Sequence, residues 1–184
     1  MRHASWVVHS TITMALVALA GCASTAPKAH FSQQIVASAQ VTSADDVQVN
    51  VTAGNGVTML NEEKSRMAEK IKARIDARKT GNPAAGAART FEVDVDLTRY
   101  DKGNAFARAM LIGLGQIHID GKAQVYLLPA HDAVGEFDLR KTFAWGGLYG
   151  AVTSMDDIEN TFADGVAAAL IEDKSHQSRT RKGN

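Results

Sequence analysis

The sequence predicts an α+β domain of two layers, in which two long helices and one short helix pack on a mixed sheet of about four strands. Three observations support this class. Apolar and polar residues alternate near residues 47–51 and over 90–98, which is typical of strands. Apolar residues recur at helical spacing over residues 61–79 and again after residue 154. Further candidate strands after residue 116 are joined by short links, which favours antiparallel neighbours.

The first half of the domain begins with Val47, Val49 and Val51, which alternate with polar residues as in a half-buried strand. A turn cluster over residues 52–56 follows, and the helix over 61–79 comes next. We expect Asn61 to cap this helix and Gly81, before Pro83, to end it. Its expected buried face contains Leu60, Met67, Ala68, Ile71 and Ile75.

The clearest strand is residues 90–98, where apolar and acidic side chains point to opposite faces. The apolar face consists of Phe91, Val93, Val95 and Leu97, and the acidic face of Glu92, Asp94 and Asp96. Three carboxylates on one face could bind a cation. A solvated sheet face, whose charges prevent unwanted pairing, is the interpretation we favour.

The second half begins with a short apolar helix over 105–114, for which Gly103 supplies a positive φ and Asn104 a cap. Gly113 and Gly115 are expected to break it. Strand segments follow around Ile117–Ile119 and Val125–Leu127, with a turn or bulge at Gly121, and then at 135–145. The last helix starts at a capping box and ends near residue 173. Its capping pair is Ser154 with Asp157 or Thr153 with Asp156, and its apolar face contains Ile158, Phe162, Val166 and Leu170.

Composition limits the partners of this chain. Its 184 residues carry 20 basic and 20 acidic side chains, and 45% are hydrophobic, as in an ordinary globular protein. Removal of residues 1–21 takes away one arginine, Arg2, and leaves 19 basic against 20 acidic residues. A nucleic-acid-binding protein would show a basic face, so we expect no nucleic-acid partner.

The N-terminus has the pattern of a secretory signal. Residues 1–21 combine a positive start, an apolar run too short to span a bilayer, and small residues at the end. They lead into Leu19-Ala20-Gly21-Cys22, which contains the single cysteine of the chain. This tetrapeptide resembles the lipobox of bacterial lipoproteins.

The lipobox resemblance implies cleavage between Gly21 and Cys22 and attachment of acyl chains, palmitate among them, to Cys22. Residue 23 is not aspartate, which by the same resemblance favours a periplasm-facing location at the outer membrane. We expect residues 22–45 to form a flexible tether between the lipid and the domain. Phe31, Ile35 and Val36 of this tether could dock on the domain. Residues 46–173 are expected to form one domain, and residues 174–184 a disordered basic tail.

A second resemblance involves residues 98–121, where a glycine-led helix start is followed by a Gly-x-Gly break and a strand. This segment resembles a family of Gram-negative lipoproteins whose domain has no assigned function. The matching positions are Gly103, Asn104, Ala105, Ala107, Arg108, Gly113 and Gly115. The resemblance implies no catalytic residue and no substrate.

The remaining motifs give no support for an enzyme. Gly113-Leu-Gly115 follows a helix and precedes a strand, whereas the dinucleotide fingerprint needs the reverse order and a third glycine. A zinc site could combine His118 and Asp120 with His131 and Asp132, but nothing in the spacing fixes the set. No serine lies in a nucleophile elbow. We therefore assign no catalytic residue, no metal ligand and no cofactor.

A cluster of cations marks the most distinctive segment. Arg99, Lys102 and Arg108 surround one helix N-terminus, where the helix dipole is already positive. An acidic neighbour such as Asp94 or Asp96 could offset the repulsion, or an envelope protein partner could. We expect a non-catalytic lipoprotein that acts as an interaction or structural module. The alternative is an accessory subunit that binds a small ligand or lipid for envelope transport or secretion.

The lipobox gives a direct test. Radiolabelled palmitate should enter the wild-type protein and should not enter a Cys22→Ser variant, because the thiol is the acceptor. The wild-type protein should fractionate with the outer membrane. Equal labelling of the two proteins would refute the lipobox assignment.

Overall fold

The computed structural model describes residues 25–79, 86–110, 114–144 and 152–171. Within these ranges the chain forms one sheet in the order β1-β5-β4-β3-β2. The strands are β1 (His30–Gln33), β2 (Asp46–Ala53), β3 (Thr90–Asp101), β4 (Ile117–Leu128) and β5 (Asp132–Phe143). The helices are α1 (Asn61–Lys79), α2 (Ala105–Met110) and α3 (Met155–Ile171), and a 3-10 turn covers Ala37–Ala39.

The sheet is mixed because α1 carries the chain back between β2 and β3, so these two strands run parallel. The other neighbours are antiparallel. The two long helices, α1 and α3, pack against each other and against one face of the sheet, which confirms the predicted α+β architecture. One core contains the inward residues of β3, the predicted apolar face of α3, and Met67, Ile71 and Ile75 of α1. The prediction that Leu60 lies on the buried face was wrong: it precedes α1 and is 60% exposed, and Ala68 is half-buried.

Two predicted details of the second half differ in the structure. Ile117–Ile119 and Val125–Leu127 belong to one continuous strand, so Gly121 is neither a turn nor a bulge. A Cβ at Gly121 would lie 3.0 Å from Leu97 and 3.1 Å from Phe162, so the glycine allows α3 to approach the sheet closely. The irregularity lies opposite, in β3, where the register shifts between Leu97 and Arg99.

The helix starts agree with the prediction at one helix and differ at the other. At α3, Ser154 and Asp157 form the reciprocal capping box, with the Ser154 N–H donating to the carboxylate at 2.9 Å. At α1, Asn61 is the first helical residue rather than the cap. The Leu60 N–H instead donates to the carboxylate of Glu63 at 3.0 Å, because a side chain at this position can reach back to the preceding turn.

The described part of the predicted tether lies against the domain. β1 pairs with β5, and a Cβ at Gly135 would overlap the side chain of Ile35. A Cβ at Gly165 of α3 would likewise overlap the side chain of Pro27. Lys141 donates a hydrogen bond to the Thr25 carbonyl at 2.6 Å. The packed region therefore extends well before the predicted boundary at residue 46, because these glycines leave room for apolar side chains that composition alone assigned to a linker. The predicted tail, 174–184, lies outside the described residues.

An ion pair between Arg89 and the buried carboxylate of Asp45 fixes the chain just before β2. The guanidinium of Arg89 donates to both carboxylate oxygens of Asp45, at 3.1 and 2.7 Å, and to the carbonyls of Ser38 and Gln40. Burial alone would raise the pKa of Asp45, but hydrogen bonds from Arg89 and Thr42 lower it to about 2. The pair ties residues 38–45 to the start of β3.

A second charged cluster joins the two long helices to the sheet. The carboxylate of Glu159 on α3 is fully buried and accepts hydrogen bonds from Arg66 at 2.8 and 3.1 Å and from Lys70 at 2.7 Å, both on α1. The hydroxyl of Tyr100 donates to it at 2.5 Å. Tyr100 faces the helices because the shift in β3 reverses the alternation after Leu97. Burial would raise the pKa of Glu159, but these three donors hold it below its usual value.

The Asp45 pair makes stability depend on pH. Because the pKa of Asp45 is depressed in the folded state, its contribution is complete above about pH 4 and is lost as pH falls toward 2. At pH 7, Asp45→Asn should lower the free energy of unfolding by about 2 kcal/mol. The difference in the free energy of unfolding between the wild-type protein and Asp45→Asn should fall close to zero near pH 2, and denaturation curves measure it. A matched control is Asp46→Asn at the exposed neighbour, which should change stability by less than about 0.5 kcal/mol. A gap that stays constant from pH 7 to pH 2 would contradict the assignment.

The Glu159 cluster should dominate the stability of the helix layer. Glu159→Gln preserves the shape but removes the charge that Arg66 and Lys70 share, so we expect a loss of about 3 kcal/mol. Glu69→Gln, at an exposed position of α1, is the control and should change stability by less than about 0.5 kcal/mol. Urea denaturation of the purified proteins measures both. Equal losses in the two variants would show that the cluster is energetically neutral.

Candidate functional site

One end of the sheet concentrates exposed apolar side chains, and we call it the α2 end. The last residues of β3 and β5 and the first residues of β4 meet there, and α2 joins β3 to β4. Phe106 and Met110, four residues apart on α2, are 75% and 66% exposed. Leu114 and Val152, which flank the same end, are 53% and 66% exposed. Leu60, in the connection that leaves the same end of β2, is also exposed.

The opposite end differs. Among the residues that the structure describes, the remaining exposed large apolar side chain is Val36. It follows β1, whose Gln33 pairs with Glu136 near the start of β5. The exposed apolar residues are therefore gathered at one end rather than scattered singly over the surface, which is the pattern of an interaction site.

The backbone around α2 is held tightly, so its side chains project from a fixed base. Gly103 and Gly115 have φ values of +62° and +64°, which confirms the predicted positive φ at Gly103. A Cβ at Gly103 would lie 2.3 Å from the carbonyl oxygens of Gly115 and Gln116. The Asn104 side chain accepts from the Ala107 N–H at 3.0 Å, which confirms the predicted cap. Residues 111–113, including Gly113, lie outside the described ranges.

Two of the three predicted cations, Arg99 and Lys102, have acidic partners within the domain. Lys102 bonds the carboxylate of Glu63 at 2.6 Å, which lowers the pKa of Glu63. Arg99 lies 3.6 Å from Asp101. Asp94 and Asp96, the expected partners, instead accept hydrogen bonds from Asn50 and Thr52 on the open face of the sheet. The side chain of Arg108 lies outside what the structure describes.

The predicted lipidation and cleavage residues, Gly21 and Cys22, also lie outside the described residues. The nearest described residue is Thr25, whose carbonyl is bound by Lys141. Lys141 pairs with Ile119 near the start of β4, so Thr25 lies toward the α2 end of the sheet. Three residues span at most about 10 Å, which limits the distance from Thr25 to Cys22. In the described ranges, no helix is long and apolar enough to cross a bilayer.

The open face of the sheet, away from the helices, is polar and contains a group of possible metal ligands. Glu92, Asp94 and His131 each place one ligand atom within 4.8 Å of the other two. The His131 ring stacks on Tyr126 with a centroid distance of 4.0 Å, and its Nε2 lies 3.5 Å from Glu92. A groove of about 630 Å³ continues along this face, lined by Asn50, Thr52, Glu92, Asp94, Asp96, Lys122 and Gln124.

This grouping differs from both sets that the sequence suggests. His118 lies at the far end of β4, where its Nδ1 is 3.0 Å from the Thr142 hydroxyl, so it is remote from His131. Asp96 is likewise not part of the group. Sequence spacing could not join His131 to β3, because the contact depends on antiparallel pairing between β3 and β4, which places Glu92 opposite Tyr126.

Comparisons with known proteins identify the family and the fold. The family model described as "Domain of unknown function (DUF4410)" matches residues 34–147. No curated protein matches the chain.

The structure is similar to two crystal forms of the PelC dodecamer from Paraburkholderia phytofirmans, one of them a point variant. The TM-scores are 0.53 and 0.50, the identities 7% and 5%, and the matches cover 80% and 79% of this chain and 99% of PelC in both. A protein of Caulobacter crescentus CB15, provisionally described as a lipoprotein, matches with 18% identity and a TM-score of 0.35, over 74% of this chain and 93% of that one.

Proposed function

The chain belongs to the DUF4410 family of domains of unknown function, and from this premise we propose that it is a membrane-anchored, non-catalytic accessory domain of the bacterial envelope. In this proposal Cys22 carries the lipid, the protein faces the periplasm at the outer membrane, and the α2 end lies on the bilayer. The observation that carries the proposal is the exposed apolar cluster at the end of the sheet toward which the N-terminal segment leads.

Geometry supports contact between this end and the bilayer. Thr25 is held by Lys141, so an acylated Cys22 lies within about 10 Å of a fixed point on the domain. The acyl chains would therefore bring the neighbouring apolar side chains to the membrane surface. One acyl chain alone gives weak, reversible binding, and stable anchoring uses a second signal. Phe106 and Met110 would add to the anchor, since full burial of each side chain contributes about 2 kcal/mol.

The cations at this end fit the same arrangement. Arg99 and Lys102 are about half exposed despite their acidic neighbours, so they retain donors for lipid phosphates. Arg108 lies on α2 between Phe106 and Met110 in sequence. In our proposal these three residues border the membrane contact. A contact with an envelope protein partner at the same residues is the competing outcome of the test below.

A non-catalytic role has support from the buried charges. Asp45 and Glu159, both buried carboxylates with lowered pKa, are bound by basic side chains that link separate segments. Their hydrogen bonds stabilise the fold and leave neither group available as a general base. Binding of a small ligand or lipid inside the domain has less support, because the groove described on the sheet is open to solvent.

The proposal is tested by a probe at each end of the sheet. Cys22 is the only cysteine, and acylation consumes its thiol, so a cysteine introduced elsewhere takes a dye alone. The acylated chain carrying Phe106→Cys, labelled with an environment-sensitive dye, is reconstituted into phospholipid vesicles. Val36→Cys is the matched control, since Val36 is a similarly exposed apolar residue at the opposite end.

We expect a blue shift and quenching by lipid-attached quenchers at position 106 and neither at position 36. Equal signals at the two positions would contradict membrane contact by the α2 end. If the dye at position 106 reports a water-like environment in vesicles, and position 106 crosslinks to a protein in intact cells, the α2 end contacts a protein partner and not the membrane. Dye labelling of the otherwise wild-type chain would show a free thiol and refute the lipid anchor itself.

A further inference from the structure

We propose that Glu92, Asp94 and His131 form a binding site for a divalent transition-metal ion of the zinc class. The site lies on the open face of the sheet, near the connection between β4 and β5, and so at the end opposite α2. It is independent of the proposed lipid anchor and membrane contact.

The three ligands come from two parts of the chain that pairing of the strands brings together. Glu92 and Asp94 are two residues apart on β3, so both carboxylates point to the face without helices. His131 lies in the β4–β5 connection and has a φ of +59°. The ring stacks on Tyr126, whose backbone pairs with Glu92, and the stacking limits rotation of the imidazole.

Asn50 on β2 arranges the two carboxylates. Its side-chain amide donates to Oε1 of Glu92 at 2.8 Å and to Oδ1 of Asp94 at 3.0 Å. Oε2 of Glu92 remains and is the atom nearest to His131 Nε2. The amide thus holds one oxygen of each carboxylate and leaves the second oxygen for an ion, which is how outer partners orient metal ligands.

The distances suit a first-row ion after a small movement. Bonds from zinc to nitrogen or carboxylate oxygen are about 2.0–2.2 Å, so ligand atoms around it lie about 3–4 Å apart. The ligand atoms are already within 4.8 Å of one another, so a contraction of about 1 Å brings them to this spacing. Water would complete the coordination, as in zinc sites with three protein ligands.

The donor set decides the class of ion. Imidazole nitrogen suits zinc, copper, iron and nickel, whereas calcium and magnesium prefer oxygen donors throughout. Two carboxylates balance the charge of one divalent ion.

The test is titration of the purified full chain in detergent with zinc chloride, followed by calorimetry. Cobalt(II) serves as a second probe, because its visible absorption reports ligation by nitrogen. We expect His131→Asn to weaken zinc binding at least tenfold. Asparagine tolerates the positive φ at this exposed position, so the fold should be retained. Glu92→Gln, which preserves shape, should weaken binding similarly, and calcium should not compete.

The matched control is His118→Asn, which removes a histidine from the same sheet outside the site. Zinc affinity in this variant should equal that of the wild-type protein. The proposal is overturned if zinc does not bind the wild-type chain, if His131→Asn and Glu92→Gln leave the affinity unchanged, or if His118→Asn weakens it equally. Failure here leaves the membrane proposal intact, because the dye experiment uses different residues and no metal.

Discussion

The arrangement of the two layers depends on one buried carboxylate, that of Glu159. It is surrounded by Arg66 and Lys70 from one helix and by Tyr100 from the sheet, so a single charge joins three elements. A buried charge is costly unless it is paired and fully hydrogen-bonded, so α1, α3 and β3 must stay in positions that keep these donors within reach of the carboxylate. Burial of the hydrophobic core favours packing of the helices on the sheet. The Glu159 cluster favours the position along the sheet at which its hydrogen bonds can form.

The same constraint shapes the α2 end. Tyr100 can reach Glu159 because β3 shifts register after Leu97, and this shift lies immediately before the connection that contains α2. Lys102, two residues after Tyr100, then binds Glu63 in the first turn of α1. The short helix is thus fixed to the domain at its base, while its apolar side chains stay outside the core. Because the base of α2 is held in place, these apolar side chains remain exposed in the folded protein.

Strands and helices were largely predictable, whereas the grouping of polar side chains was not. The alternation in 90–98 and the spacing of Ile158, Phe162 and Val166 report burial directly, since each pattern is local. The acidic face of β3 was predictable from the sequence, but the position of His131 beside that face was not. His131 comes from a connection more than thirty residues away, and nothing local indicates that Tyr126 positions its ring. The role of Glu159 was equally hidden, because it lies on a helix with acidic neighbours that are exposed.

The sequence by itself determined the class of the domain, the order of its two long helices and their neighbouring strands, and most of the residues that face the core. These properties follow from periodicity, capping and charge balance, which act over a few residues. Tertiary structure alone decided that residues 25–45 pack on the domain, that exposed apolar residues gather at one end, and which charges meet. Those outcomes depend on contacts between distant segments, and many pairings are compatible with the same local pattern until the sheet forms.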